Sequence, residues 1–229
     1  MSFGTDHRML KLWLSMFEQR VAAFASTIKH EYEIIVLSDE TTEFPDWMQY
    51  PVKRCSEPTW TNHVLDKADW IKAHAFSLVG HACIAIDTDL LLFRPLRGID
   101  RFMNASVGLC VDPFPRTWSF YDGLTELNSG FLLLNDEDFA ADYEAEWTRI
   151  ADSEMKQHAI KGQVIVSYLH KKKDGVLLPS AYNWHSGWPL SSHPLGIHFM
   201  GIGDYDAKLA RMRKLIKPMG LLDILDAAM

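Results

Sequence analysis

Short unbroken apolar runs punctuate the chain: Glu33–Leu37 (EIIVL), Ala82–Ile86 (ACIAI), Ser106–Val111 (SVGLCV), Gly130–Leu134 (GFLLL), Val176–Leu178 and Gly196–Met200. Each is bounded by turn-formers or charges and is too short for a helix, so each predicts a buried strand. Stretches of helical period lie between several of them. Arg8–Phe24 and Phe139–Ala151 predict helices, and Ala207–Ile216 predicts a basic amphipathic one that Pro218 stops or kinks. The clearest helix precedes the second strand, where Val64, Ala68, Ile71, Ala75 and Leu78 recur at steps of four and three. That spacing predicts one apolar stripe, with Asp66, Lys67 and Asp69 turned away and Lys72 and His74 at its edges. Strands alternating with helices predict an α/β domain with a largely parallel sheet.

The length of 229 residues suits one domain with one core, and 48% hydrophobic against 23% charged residues excludes disorder or a coiled coil. A formal charge of −7 is the wrong sign for coating nucleic acid or anionic lipid, so no nucleic-acid partner is expected. Cys55, Cys83 and Cys110 are three cysteines with no C-x-x-C pair, which predicts neither a disulfide framework nor structural zinc. With no secretory pattern at the N-terminus and no long apolar stretch, a cytoplasmic protein without a membrane span is expected. Lys171–Lys173, a run of three like charges, reads as a solvated helix end.

The segment ACIAIDTDLLLF sets two carboxylates just after an apolar strand. Residues two apart in extended chain point the same way, so Asp87 and Asp89 should converge. In open α/β sheets ligands bind beyond the carboxyl ends of the strands. Paired carboxylates there repel a phosphate unless a divalent cation inverts the local charge, and hard oxygen ligands suit Mg²⁺ or Mn²⁺. The alternative is a pair of aspartates capping a turn.

The neighbouring residues resemble a known family. WIKAHAFSLVGHACIAIDTDLLLFRP (Trp70–Pro95) is similar to the helix, strand and D-x-D segment of glycogenin-like members of glycosyltransferase family 8. LNSGFLLLN (Leu127–Asn135) resembles their N-S-G motif, and KGQVIVSYL (Lys161–Leu169) their D-Q element. LPSAYNWHS (Leu178–Ser186) resembles their L-P-x-x-Y-N segment, and HFMG (His198–Gly201) the start of their H-F-x-G-x-x-K-P-W motif. The order and approximate spacing agree over about Lys67–Gly201.

The resemblance implies a single GT-A (Rossmann-like) domain over residues 1–229, with a C-terminal amphipathic helix from about 207. It implies transfer of a hexose from a UDP-sugar to a glycan, lipid or protein acceptor, with retention of configuration. By it Asp87, Asp89 and His198 hold Mn²⁺ or Mg²⁺, and Lys72 steadies the donor. Asn128, Ser129 and Gly130 line the sugar pocket, and Gln163 faces the reacting carbon, so that Gln163 and Asn128 are the catalytic candidates. Thr5 and Asp6 meet the nucleobase and ribose, and Gly201 the donor. Lys72→Met is expected to weaken donor binding and spare the fold.

Three positions depart from the family pattern. The first strand is a stub before FGTDH, which leaves either an incomplete base site or a misplaced start as the expectation. Gly162 replaces the Asp beside the Gln, and Asp204 replaces a pyrophosphate-binding lysine, so Asp204→Lys is expected to tighten UDP binding. Two other readings remain at this stage. A haloacid dehalogenase-like phosphatase also uses D-x-D after an apolar strand, with Gly203, Asp204 and Asp206 mimicking its late acidic motif, although Leu91 replaces its Thr or Val. A non-catalytic nucleotide-sugar binder of the same fold is the other. Read without the motifs, Lys72 is a snorkelling surface lysine, His198 a satisfied core histidine and Asn128–Gly130 a turn before a strand.

Overall fold

The computed structural model describes residues 7–21, 33–58, 61, 63–158, 161–186, 188, 194–200 and 204–229. In chain order the elements begin with α1 (Arg8–Val21), β1 (Val36–Asp39), β2 (Val52–Cys55), α2 (Val64–Ala73), α3 (Ala75–Val79) and β3 (Cys83–Ile86). Then come β4 (Leu90–Leu92), β5 (Val107–Val111), β6 (Thr117–Trp118), β7 (Leu124–Thr125), β8 (Leu127–Leu134) and α4 (Phe139–Ala151). The chain continues through α5 (Lys161–Lys172), β9 (Val176–Leu177), β10 (Trp184–His185), β11 (Gly196–His198), α6 (Tyr205–Ile216) and α7 (Leu222–Ala228).

These elements fall into two compact units. The first comprises Ile34–Ile86 and Gly98–Leu178. Its four-stranded sheet has the order β3-β8-β5-β9. β3 and β5 point the same way on either side of β8, which is antiparallel to both, and β9 is parallel to β5. The expected parallel direction therefore holds for β3, β5 and β9, but the expectation of largely parallel pairing is corrected by β8. Parallel neighbours need a crossover, usually a helix. Between Val111 and Leu127 the chain makes only the small β6–β7 pairing and one 3₁₀ turn, so it re-enters the sheet from the end it left. β8 is buried from Asn128 to Leu134, as a strand covered on both faces requires. Its start at Leu127 puts Asn128, Ser129 and Gly130 inside the strand and not in a turn before it.

The predicted apolar stripe holds only in part: Ile71 and Ala75 are buried, Ala68 and Leu78 half-buried, and Val64 exposed. Val64 and Leu65 are exposed, whereas Asp66, Asp69 and Lys72 are buried together with Trp70, Ile71 and Ala73. The polar residues at steps of three face α5. Asp66 accepts from the Gly162 N–H (3.1 Å) and pairs with Lys161 (2.8 Å), while Asp69 pairs with Lys72 (2.9 Å). Burial of charge is tolerated where each charge has a partner, and Asp66 also meets the positive end of α5. Hydropathy spacing alone carries no record of such partners.

The second unit gathers Asp87–Arg97, Pro179–Met229 and the segment that carries α1. Its three-stranded sheet has the order β10-β11-β4, with β11 parallel to β10 and antiparallel to β4. Leu12 and Met16 of α1, Leu91 and Phe93, Ile197 and Phe199, Met212 and Ile216 of α6, and Leu225 of α7 form one core. The Trp13 indole N–H donates to the Leu90 carbonyl (2.9 Å), which ties α1 to β4. No helix among the described residues is long and apolar enough to cross a membrane.

Candidate functional site

In the second unit, the register of β11 against β4 sets His198 opposite Leu90, next to Asp89. Asp87 accepts the Leu90 N–H at its carbonyl (3.0 Å), which closes the D-T-D segment into a turn. Asp87, Asp89 and His198 thereby offer ligand atoms that all lie within 4.8 Å of one another. The His198 Nε2 stands 3.1 Å from Asp89 Oδ1 and 3.9 Å from Asp87 Oδ2. The other ring nitrogen, Nδ1, lies 3.0 Å from the Asn183 side-chain oxygen.

In the absence of a cation the Nε2–H of His198 faces Asp89; with Nδ1 donating to Asn183, the same nitrogen could instead turn its lone pair to a cation set between it and the two carboxylates. Metal-ligating histidines commonly donate the second ring N–H to an oxygen in this way. Two carboxylates and one imidazole fit Mn²⁺ or Mg²⁺. Burial pushes the Asp89 carboxyl up, but the charge and hydrogen bond of His198, with the Lys208 ammonium, outweigh it and hold the group well below the usual carboxylate range.

Lys208, on the second turn-forming stretch of α6, bonds Asp89 Oδ2 directly. The family resemblance set Asp204 in the place of a pyrophosphate-binding lysine. Asp204 is instead the exposed N-cap of α6, its carboxylate accepting the Ala207 N–H at 2.8 Å. Asp204→Ala is therefore expected to lower stability by about 1 kcal/mol through loss of the cap, read as a lower midpoint in urea. Asp204→Lys forfeits the same cap, and an unchanged midpoint in both variants would remove this account. The signal for Lys208 was available: it lies four residues beyond a capping Asp, hence one helical turn into α6.

In the first unit, Lys72 Nζ donates to the Ser129 carbonyl (2.9 Å) and hydroxyl (3.1 Å). The Ser129 hydroxyl donates to Asp69 (2.6 Å), and its N–H donates to the Gln163 side-chain oxygen (3.3 Å). That contact turns the Gln163 amide nitrogen toward Asp112 (3.2 Å) and Glu126. Asn128 donates to Asp112 (3.2 Å) and accepts the Gly130 N–H (2.9 Å). The register shift between Leu109 and Cys110 brings Cys110 opposite Asn128 and aims the end of β5 at this cluster. Burial raises the Glu126 carboxyl, the nearby Asp112 charge adds to that, and hydrogen bonds from Trp118 and Gln163 oppose it.

Lys72, Asn128, Ser129, Gly130 and Gln163 are thus brought together within this unit. Asp69, Asp112 and Glu126 join them, and of these Asp69 and Asp112 were missed as site residues because only their partners belong to recognisable motifs. Gly162 now has a physical reason. A Cβ there would stand 2.4 Å from the Asp69 Cβ and 2.9 Å from the Tyr143 hydroxyl, so the close approach of α5 to α2 admits only glycine. Thr5, Asp6 and Gly201 lie outside the described residues.

No family model matches the sequence, and no curated protein does. Solved structures do match. The galactosyltransferase LgtC, crystallised with donor and acceptor sugar analogues, is similar at a TM-score of 0.66 and 13% identity, covering 96% of this chain and 91% of that one. The glycosyltransferase GlyE of Streptococcus pneumoniae is similar at 0.58 and 13% identity, covering 96% of this chain but 60% of its own. Mouse xyloside xylosyltransferase 1 is similar at 0.51 and 14% identity, covering 86% and 93%. The fold is that of the GT-A glycosyltransferases.

Proposed function

We propose that this protein is a family 8-like, metal-dependent retaining glycosyltransferase that moves a hexosyl group from a UDP-sugar to a glycan, lipid or protein acceptor. The observation that carries the proposal is the convergence of Asp87, Asp89 and His198 within 4.8 Å, with the second His198 nitrogen directed at Asn183. In this reading Asp87, Asp89 and His198 hold Mn²⁺ or Mg²⁺ in a cytoplasmic protein. The bound ion supplies Lewis-acid stabilisation of the charge that develops on the departing nucleotide diphosphate.

The chain's own residues do the rest. Asn183 orients the His198 ring, and the Lys208 ammonium and His198 facing its two oxygens favour Asp89 as an anion. That state favours ligation over the phosphatase alternative, in which Asp89 must carry a transferable proton. Lys72 has its ammonium committed to Asp69 and Ser129, so its part is to position Ser129 and, through it, Gln163. Asn128 and Gln163 both hold Asp112, and with no carboxylate at Gly162 a front-face displacement is the mechanism inferred.

A panel of nucleotide sugars and a phosphate ester, each with Mn²⁺ or Mg²⁺, tests the function. Slow release of UDP from a UDP-hexose is expected, abolished by a chelator, and UDP should raise the melting midpoint only with the cation present. Phosphate release from the ester without UDP release would sink the proposal. So would an equal UDP shift in the absence of metal.

A further inference from the structure

Lys208 stands in the first turns of α6, a helix of 12 residues, where the helix dipole disfavours a cation unless an anion holds it. Asp89 is that anion. The lysine side chain is 17% exposed and its ammonium takes one carboxylate oxygen of Asp89, while His198 lies on the other. A divalent cation bridging Asp87, Asp89 and His198 must share Asp89 with this ammonium or take it away.

We propose that Lys208 is a resident counter-cation of the Asp87–Asp89 pair that weakens divalent-cation binding and then strengthens nucleoside-diphosphate binding once the cation is in place. The inference rests on the reading of Asp87, Asp89 and His198 as a cation site. Its two halves follow from one charge. Two carboxylates against one ammonium leave the cluster negative, and removing the ammonium makes it more attractive to a dication. With a dication present the cluster turns positive, and an ammonium released from Asp89 adds a charged donor for the diphosphate oxygens. The same substitution therefore acts with opposite signs on the two ligands, which a lysine that only packs would not do.

Titration with Mn²⁺ alone, followed by the electron paramagnetic resonance of free Mn²⁺, reads the first half, and calorimetry with UDP at saturating Mn²⁺ reads the second. Lys208→Met is expected to tighten Mn²⁺ about tenfold and to weaken UDP about tenfold. Lys208→Gln, which keeps a polar tip, is expected to reproduce both shifts, and the charge-preserving Lys208→Arg to stay within about threefold of the parent on both. Unchanged or weaker Mn²⁺ binding in Lys208→Met and Lys208→Gln overturns the proposal, as does unchanged or tighter UDP. A separate result bears on the site itself: if Asp89→Asn binds Mn²⁺ as the parent does, the carboxylates do not hold the cation, and both the site and the role of Lys208 fall.

Discussion

Asp89→Asn is expected to lower nucleotide-sugar turnover and Mn²⁺ affinity by about a hundredfold or more each. Asn preserves the shape of the side chain and its hydrogen-bonding reach. What it removes is the charge, on a group that burial alone would neutralise but that His198 and Lys208 hold ionised. The variant thus loses the anion for the cation and leaves the Lys208 ammonium facing a neutral amide. Metal Lewis acidity supplies several kcal/mol of transition-state stabilisation, and each 1.36 kcal/mol is a factor of ten in rate. Asn183→Ala, which frees the outer nitrogen of His198, should cost less, about ten- to a hundredfold in metal affinity. Electron paramagnetic resonance of free Mn²⁺ and UDP release from a UDP-hexose are the measurements, with far-ultraviolet circular dichroism to show that the fold persists. Parent-like turnover in Asp89→Asn would mean that the cluster is a turn-capping arrangement and that catalysis lies elsewhere.

The part of this site that was legible in sequence was local and repetitive in character. Asp87 and Asp89 could be read because a D-x-D directly follows an apolar strand, although it is the turn closed by the Leu90 N–H on the Asp87 carbonyl, and not the extended period of two, that brings them together. Phe139–Ala151 was predicted to the residue, since a helix with one apolar face leaves its period in the sequence. What escaped depended on contacts far along the chain. Asp69 reads as a solvent-facing helix residue until Ser129 and Gly162 are seen against it, and Lys208 reads as one basic residue of a surface helix until Asp89 is seen beside it. The α2 stripe, borne out at Ile71 and Ala75, failed at Asp66, Asp69 and Lys72 for the same reason: a buried charge with a partner and an exposed charge without one look identical in a hydropathy pattern. The direction of β8 was in principle readable. The stretch between β5 and β8 has no helix to make the usual crossover, and that favours antiparallel pairing.

Lys72→Met is expected to destabilise the protein by about 3–5 kcal/mol, in place of the intact fold that the sequence led us to expect of this variant. The lysine is 2% exposed and its ammonium bonds Asp69, the Ser129 carbonyl and the Ser129 hydroxyl. Methionine fills most of the volume, so the loss is electrostatic: Asp69, itself buried, keeps the Ser129 hydroxyl but loses the ammonium. Relief by rotation toward water is blocked. Gly162 presses its backbone against the Asp69 side chain so closely that even a methyl group there would stand 2.4 Å from the Asp69 Cβ. Removing both charges should undo much of the damage, because a buried pair replaced as a pair costs far less than one partner stranded. Urea unfolding of Lys72→Met, Asp69→Asn and the double variant gives the coupling directly. The double variant is expected to be more stable than Lys72→Met alone, with a coupling of at least about 2 kcal/mol. A loss below about 1 kcal/mol in Lys72→Met would match an exposed lysine and would break the chain from Lys72 through Ser129 to Gln163. Additive losses in the cycle would do the same, since they would leave Asp69 and Lys72 without the contact that positions Ser129.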